Sequence, residues 1–328
     1  ITYHRAMKFY FHKQDLSLFY LINVQIRFNS IIVYKCKIFN RFYIICNHLS
    51  HVHKKVFGYS GIFLFTQSGV VAIIVWNFEN FFREVKKVNS DRYSRQIMIP
   101  EFGDDGQERL SDSSVLVIGA GGLGSTLLYH LAAAGIGTIG VADHDIVSIS
   151  NLNRQYMHFE EDIGCLKVIS ASRKLRQFNS EINIIPHATA INKDNAYEII
   201  SQYDMVALAV DNAQARMIIN EACVELNKPF VDGGVNGFVG TSVFVNPHHT
   251  PCLACLYGTD LPPEERFGSV SSVVGTIASI EATSVIQHLL GIEVPLSGTL
   301  LYYDAKTAEF EKLPIKFKDE CPICGGKH

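Results

Sequence analysis

The sequence predicts an α/β fold built on a doubly wound, mostly parallel sheet that antiparallel strands extend near the C-terminal end. Three observations carry this. Short apolar runs such as Val115-Leu-Val-Ile118 alternate with helix-length amphipathic stretches over residues 115–235, the pattern of strands covered on both faces by crossover helices. A glycine-rich turn, Gly119-Ala-Gly-Gly-Leu-Gly124, joins the first run to a helix-forming segment. All ten prolines lie after residue 90, and only Gly58, Gly61 and Gly69 of the 24 glycines lie before it, so turn chemistry is concentrated in the later part.

Charge divides the chain at the same place. Residues 1–90 hold 12 Lys/Arg against Asp15, Glu79 and Glu84, about +9; of the 29 basic and 32 acidic residues in total, 17 and 29 remain in residues 91–328, about −12. The sequence therefore reads as two regions, 1–90 and 91–328. With 48% hydrophobic and 19% charged residues there is material for a core, which excludes disordered and fibrous classes. The acidic balance of the second region argues against a nucleic-acid backbone as partner, because neutralising phosphates needs clustered cations.

The first region is basic, rich in Phe and free of proline. It lacks the ordered pattern of a secretory signal. Val56–Trp76 carries no charge and meets the length of a membrane span, but Thr66, Gln67 and Ser68 interrupt its centre. The reading favours an accessory element over a membrane helix, and an extension foreign to the functional protein is the third alternative. A cytoplasmic setting is expected.

In the second region, Asp104–Leu110 reads as helix and Val115–Ile118 as a buried strand. The glycine turn comes next, then a helix from Gly122 to about Ala134 and a strand Thr138–Ala142 ending in Asp143. Gly119 permits the tight turn, and Gly121, Gly122 and Gly124 let backbone N–H groups and a helix N-terminus approach phosphate oxygens. Asp143 is placed to accept hydrogen bonds from ribose hydroxyls. Strand, turn, helix, strand and acid in that order specify a Rossmann-like nucleotide site far better than the glycines alone. Further strands are expected near Ile182–Pro186, Met205–Val210, Pro229–Val235, Val239–Val245, Leu300–Asp304 and Glu309–Pro314. Helices are expected near Lys167–Phe178, Asp194–Gln202 and Asn212–Asn227.

The residues beyond Asp143 decide between nucleotides. Asn151-Leu-Asn-Arg-Gln155 and Lys167 set Arg154 and Lys167 past the second strand, and clustered cations suit a triphosphate better than a nicotinamide ring. Asp211 ends an apolar strand at its carboxyl end, where a carboxylate can hold Mg²⁺ against phosphates; Asp211-Asn212 is also a good helix N-cap. These residues point to ATP, with an NAD-dependent oxidoreductase or an inactive nucleotide-bound scaffold as the lesser alternatives.

Four of the eight cysteines form two C-x-x-C pairs, Cys252/Cys255 and Cys321/Cys324. Four thiolates close a tetrahedral structural Zn²⁺ site that would tie the C-terminal tail to the strand end before Pro251. Cys165 and Cys223 read as core residues.

Arg92-Tyr-Ser-Arg-Gln96, the glycine turn, Asp143-His-Asp145, Asn151-Leu-Asn-Arg-Gln155, Gly164-Cys-Leu-Lys167, Val210-Asp-Asn212 and the cysteine pairs together resemble the HesA/MoeB/ThiF family, relatives of ubiquitin-activating enzymes, over roughly residues 90–328. The pattern is nearest MoeB and ThiF. The resemblance implies adenylation of the C-terminal glycine of a ubiquitin-like sulfur-carrier protein ending in Gly-Gly, with release of pyrophosphate, in molybdopterin or thiamine-type cofactor synthesis. A ribosomal peptide or a carboxylated tRNA base is the alternative substrate within the family. The resemblance further implies that Asp143 holds the ribose, Asn151, Arg154, Gln155 and Lys167 the phosphate side, and Asp211 Mg²⁺. Arg95 would reach ATP in the neighbouring subunit of a homodimer. Several family members carry a cysteine between Tyr257 and Ser272 that takes the activated carrier; this chain has none there, so catalysis is expected to stop at the acyl-adenylate. No rhodanese-like extension is expected after His328.

Overall fold

The computed structural model describes strand residues 34–36, 41–43, 45–46, 60–66 and 69–75 of the first region, together with residues 90–259 and 268–325. The chain forms two compact units, residues 1–87 and 88–328. In the first unit, Tyr34–Cys36 pairs antiparallel with Arg41–Tyr43, and Ile45–Cys46 and Ser60–Thr66 flank Gly69–Val75 in a second sheet. The stretch that meets the length of a membrane helix is thus an antiparallel hairpin in its described part, with Thr66 opposite Gly69. The β-branched and aromatic residues of both strands favour strand over helix.

The second unit begins with two helices the sequence only half announced, α1 (Ser90–Ile97) and α2 (Gly103–Asp112). Strand β1 (Ser114–Ile118) leads through the glycine turn to α3 (Gly122–Ala134) and β2 (Thr138–Ala142). Then come α4 (Lys167–Phe178), β3 (Asn183–His187), α5 (Ala196–Ser201), β4 (Met205–Leu208) and α6 (Ala213–Glu225). An antiparallel extension completes the unit: β5 (Phe230–Asn236) and β6 (Val239–Val245), the short α7 (Leu253–Tyr257), the long α8 (Ser271–Leu290), β7 (Thr299–Asp304) and β8 (Glu309–Pro314).

These eight strands form one sheet in the order β8-β7-β6-β5-β4-β1-β2-β3. The five from β3 to β5 run parallel and the rest antiparallel. The strand order reverses between β1 and β4, which opens a crevice beyond their carboxyl ends, the place where such sheets hold ligands. Two apolar layers sandwich the sheet: α3, α4 and α8 cover one face through residues such as Leu128, Leu131, Val168 and Val285, while α5 and α6 cover the other through Ile200, Ile219 and Cys223.

Local chemistry explains the small differences at element ends. Strand β4 ends at Leu208, with one further ladder bond from the Ala209 N–H to the Ile118 carbonyl at 2.8 Å. Pro229 has no N–H for the ladder, so β5 starts at Phe230. Asn192 and Asn195 close side-chain turns onto the N–H groups of Asp194 and Asn192, at 2.9 Å each, and delay α5 to Ala196. Among the described residues one helix, α8, is long and apolar enough to cross a membrane, and half of that window is buried in this fold. It is the central core helix of the unit.

Candidate active site

Only glycine fits the turn between β1 and α3. Gly119 has φ +107°, and a Cβ there would fall 2.4 Å from the Ala209 carbonyl oxygen; a Cβ on Gly124 would fall 2.0 Å from that of Gly119. The first glycine lets β1 leave the sheet hard against the end of β4, and the third seats α3 on the turn. A Cβ on Gly121 or Gly122 would make only ordinary to tight contacts, the first with the Gln155 amide, the second with Val274 and the Arg154 side chain. These two therefore leave the backbone approachable.

Asp143, at the end of β2, braces the turn. One carboxylate oxygen accepts the Ala120 N–H at 2.8 Å and the other the Asp145 N–H at 2.8 Å. Asp145 in turn accepts the Lys167 ammonium at 2.8 Å, and its backbone carbonyl accepts the Lys167 N–H at 2.9 Å. Lys167 is 5% exposed at the start of α4, so its charge is held in place by an acid in contact with solvent. Burial pushes Asp145 up, but the Lys167 ammonium outweighs this and leaves it below the usual carboxylate range.

The turn 148–155 carries the other cations and amides. Asn151 accepts the Ser148 N–H at 3.0 Å, and Arg154 donates to the Ser150 carbonyl at 3.1 Å and the Asn153 amide oxygen at 2.9 Å. Gln155 is buried, and its Oε1 has no hydrogen-bond partner among the described residues. Asp211 is exposed two residues past Ala209, and Asn212 caps α6 by accepting the Ala215 N–H at 2.8 Å. The N-cap alternative thus belongs to Asn212, which leaves the Asp211 carboxylate at the crevice. The structure brings Gly119, Gly121, Gly122, Gly124, Asp143, Asn151, Arg154, Gln155, Lys167 and Asp211 around the carboxyl ends of β1, β2 and β4.

Arg95 stands apart from them. Tyr93 and Gln96 tie α1 to the unit, through Asn179 at 2.8 Å and the Ala134 carbonyl at 2.9 Å. Arg95 faces away, exposed, and makes no hydrogen bond or ion pair with the described residues.

Three buried groups escaped the sequence reading. Arg216 on α6 donates to Asp232 at 2.6 Å and to the Val210 and Gly233 carbonyls at 3.1 and 3.0 Å, locking the ends of β4 and β5 on either side of Asp211. Glu281 on α8 is fully buried with both carboxylate oxygens unpartnered among the described residues. A Cβ on Gly233 would fall 2.5 Å from its Cδ. Burial first, then the nearby Asp232, raises Glu281 well above the usual carboxylate range. A lone acid inside an apolar strand or helix is the signal that could have flagged Asp232 and Glu281.

A second cluster lies at the end of the sheet extension. The Sγ atoms of Cys252 and Cys321 are 3.7 Å apart and those of Cys255 and Cys324 3.5 Å, with all four within 4.8 Å of one another. Four sulfurs about 2.3 Å from one ion stand ~3.8 Å apart at the corners of a tetrahedron, so the set fits Zn²⁺. Disulfides are excluded, because bonded sulfurs lie at about 2.05 Å. Burial pushes the Cys321 thiol up, but the Cys324 and Ile323 N–H groups outweigh it and bring it down to about 7.

Of the other cysteines, Cys223 is buried as expected, but Cys165 is exposed. Gly164, at φ +87°, turns the chain outward immediately before it. Between Tyr257 and Ser272, Ser269 bridges to Gly237, and Ser271 and Ser272 open α8; residues 260–267 lie outside the described set.

The sheet order, the glycine turn at the switch point and the acid after β2 define a nucleotide-binding α/β protein of the doubly wound class. Residues 93–323 match the ThiF family, and the chain belongs to it. It is 40% identical over 252 residues to a sulfur carrier protein adenylyltransferase of Thermus thermophilus, covering 73% of this chain and 92% of that protein. It is 39% identical over 249 residues to the adenylyltransferase and sulfurtransferase MOCS3 of Culex quinquefasciatus, covering 73% of this chain but only 57% of that one. In fold it is similar to the Escherichia coli enzyme MccB bound to ATP, with TM-score 0.66 and 23% identity over 76% of this chain and 81% of that one.

Proposed function

We propose that this chain is an ATP-dependent adenylyltransferase that activates the C-terminal glycine of a ubiquitin-like sulfur-carrier protein. The observation that carries this reading is the crevice itself: a turn whose Gly121 and Gly122 carry no side chains, flanked by Arg154 and Lys167, with Asp211 exposed just beyond the end of β4. The reading is supported by the Thermus thermophilus relative, matched over 92% of its length and named a sulfur carrier protein adenylyltransferase.

In this reading, Gly121 and Gly122 present N–H groups to phosphate oxygens, and Asp143 accepts from the ribose. Arg154 and Lys167 neutralise the charge that grows on the phosphates as the α–β bridge breaks. Mg²⁺, held by Asp211, would add to that neutralisation when bound. The carrier carboxylate is a weak nucleophile, so the work of the site is alignment of its oxygen with the α-phosphorus. The new carboxylate–phosphorus bond forms as pyrophosphate leaves with the bridging electron pair. Arg95, exposed and facing away from its own crevice, suits a role in the site of a second copy. Zn²⁺ on the four cysteines is structural.

The product identifies the reaction. Incubation with ATP and a carrier ending in Gly-Gly should yield carrier–AMP by intact mass, and a carrier lacking the last glycine should yield none. A carrier–enzyme thioester would show instead that transfer continues on this chain.

A further inference from the structure

His158 is buried at 3% exposure, and both its ring nitrogens are engaged: Nε2 lies 2.8 Å from the Ala120 carbonyl oxygen and Nδ1 2.9 Å from Ser170 Oγ. The direction of each bond is set by the ends of the chain they form. Lys174 can only donate, and it donates to Ser170 Oγ at 3.1 Å while pairing with the buried Asp162. The Ser170 hydroxyl, which Nδ1 shares with the Asp162 carboxylate, is the donor available to Nδ1. The Ala120 carbonyl can only accept, so Nε2 carries the ring proton and donates it. Burial keeps the ring neutral, as this arrangement requires.

Ala120 lies within the glycine turn, between Gly119 and Gly121. Its N–H is fixed by Asp143 at 2.8 Å, and its carbonyl is fixed by His158. A trans peptide points its carbonyl and the following N–H in opposite directions. A carbonyl turned inward to His158 therefore turns the Gly121 N–H the opposite way, away from His158. We infer that His158 is a positioning residue for ATP, one that aims the Gly121 N–H at a phosphate oxygen by holding the Ala120 carbonyl.

This inference rests on the reading of the crevice as an ATP site, and the test separates the two. Wild-type chain, His158→Leu and His158→Gln are compared for binding of α,β-methylene-ATP by calorimetry and for KM of ATP and of a Gly-Gly carrier in pyrophosphate exchange. Gln places a donor nitrogen the same number of bonds from the backbone as Nε2, whereas Leu fills space without a donor. His158→Leu should weaken analogue binding and raise the ATP KM about tenfold, the size of one lost hydrogen bond to an aimed donor, with the carrier KM unchanged. His158→Gln should recover most of that loss.

Equal analogue affinity in folded wild type and His158→Leu overturns the inference, and so does a loss shared equally by Gln and Leu. Failure of the wild type itself to bind the analogue overturns the ATP reading instead. Should His158→Leu not fold, Ser170→Ala takes its place. It frees Nδ1 to take the ring proton, and a threefold or smaller rise in the ATP KM is expected; no rise counts against the inference.

Discussion

Gly124 shows how closely single residues are determined here. A methyl group at this position meets the Gly119 carbonyl at 2.0 Å, so α3 cannot stay seated on the turn. Gly124→Ala should abolish measurable ATP-analogue binding and destabilise the fold by about 1–3 kcal/mol, checked by calorimetry and thermal melting. The glycines, Asp143 and the cysteine pairs were legible in the sequence because their spacing is set by local geometry. Arg216, Asp232, Glu281 and His158 were not, because each takes its meaning from a residue brought near only by the fold. Glu281 supports a prediction with a definite sign. Its folded pKa is raised, so below the ordinary glutamate value both states are protonated and nothing is lost. As pH rises through the window between that value and the raised one, only the unfolded chain ionises, and stability falls by up to ~1.4 kcal/mol per pH unit. Glu281→Gln removes this dependence. Its Tm advantage over wild type should grow from pH 4 to pH 8, and a constant difference would show that Glu281 is ionised in the fold.

At the scale of elements, the parallel strands and crossover helices were legible from alternating apolar runs, with ends displaced by one or two residues, as where Asn192, Asn195 and Pro229 intervene. Helix α1 was missed as a helix because its eight residues, SDRYSRQI, span barely two turns and offer only Tyr93 and Ile97 as apolar positions; its place comes from Tyr93 and Gln96 reaching Asn179 and Ala134. Strand β8 is exposed along its length, and beyond it the Lys318 ammonium touches the Ala254 carbonyl at 3.4 Å. The four thiolates therefore hold the tail to α7. One equivalent of zinc should be found by elemental analysis, and its removal, or Cys255→Ser, should lower Tm by roughly 10 °C while leaving the doubly wound half of the sheet folded by hydrogen exchange.

For the whole molecule, the crevice at the switch point and the outward-facing Arg95 bear on assembly. If two copies share residues, Arg95→Ala and Asp211→Ala are each inactive alone, and co-refolding them restores about a quarter of wild-type activity through mixed dimers with one intact site. No recovery between two inactive variants would place Arg95 in its own chain's site, and an active Arg95→Ala would place it outside the reaction. The central claim is that the crevice transfers an adenylyl group to a carrier carboxylate, with Asp211 as the group that holds Mg²⁺. Its most direct test is ATP–pyrophosphate exchange with and without a Gly-Gly carrier, on wild type and Asp211→Ala. Exchange is predicted only with the carrier and only in the wild type. Exchange that needs no carrier, or that survives in Asp211→Ala, would contradict it.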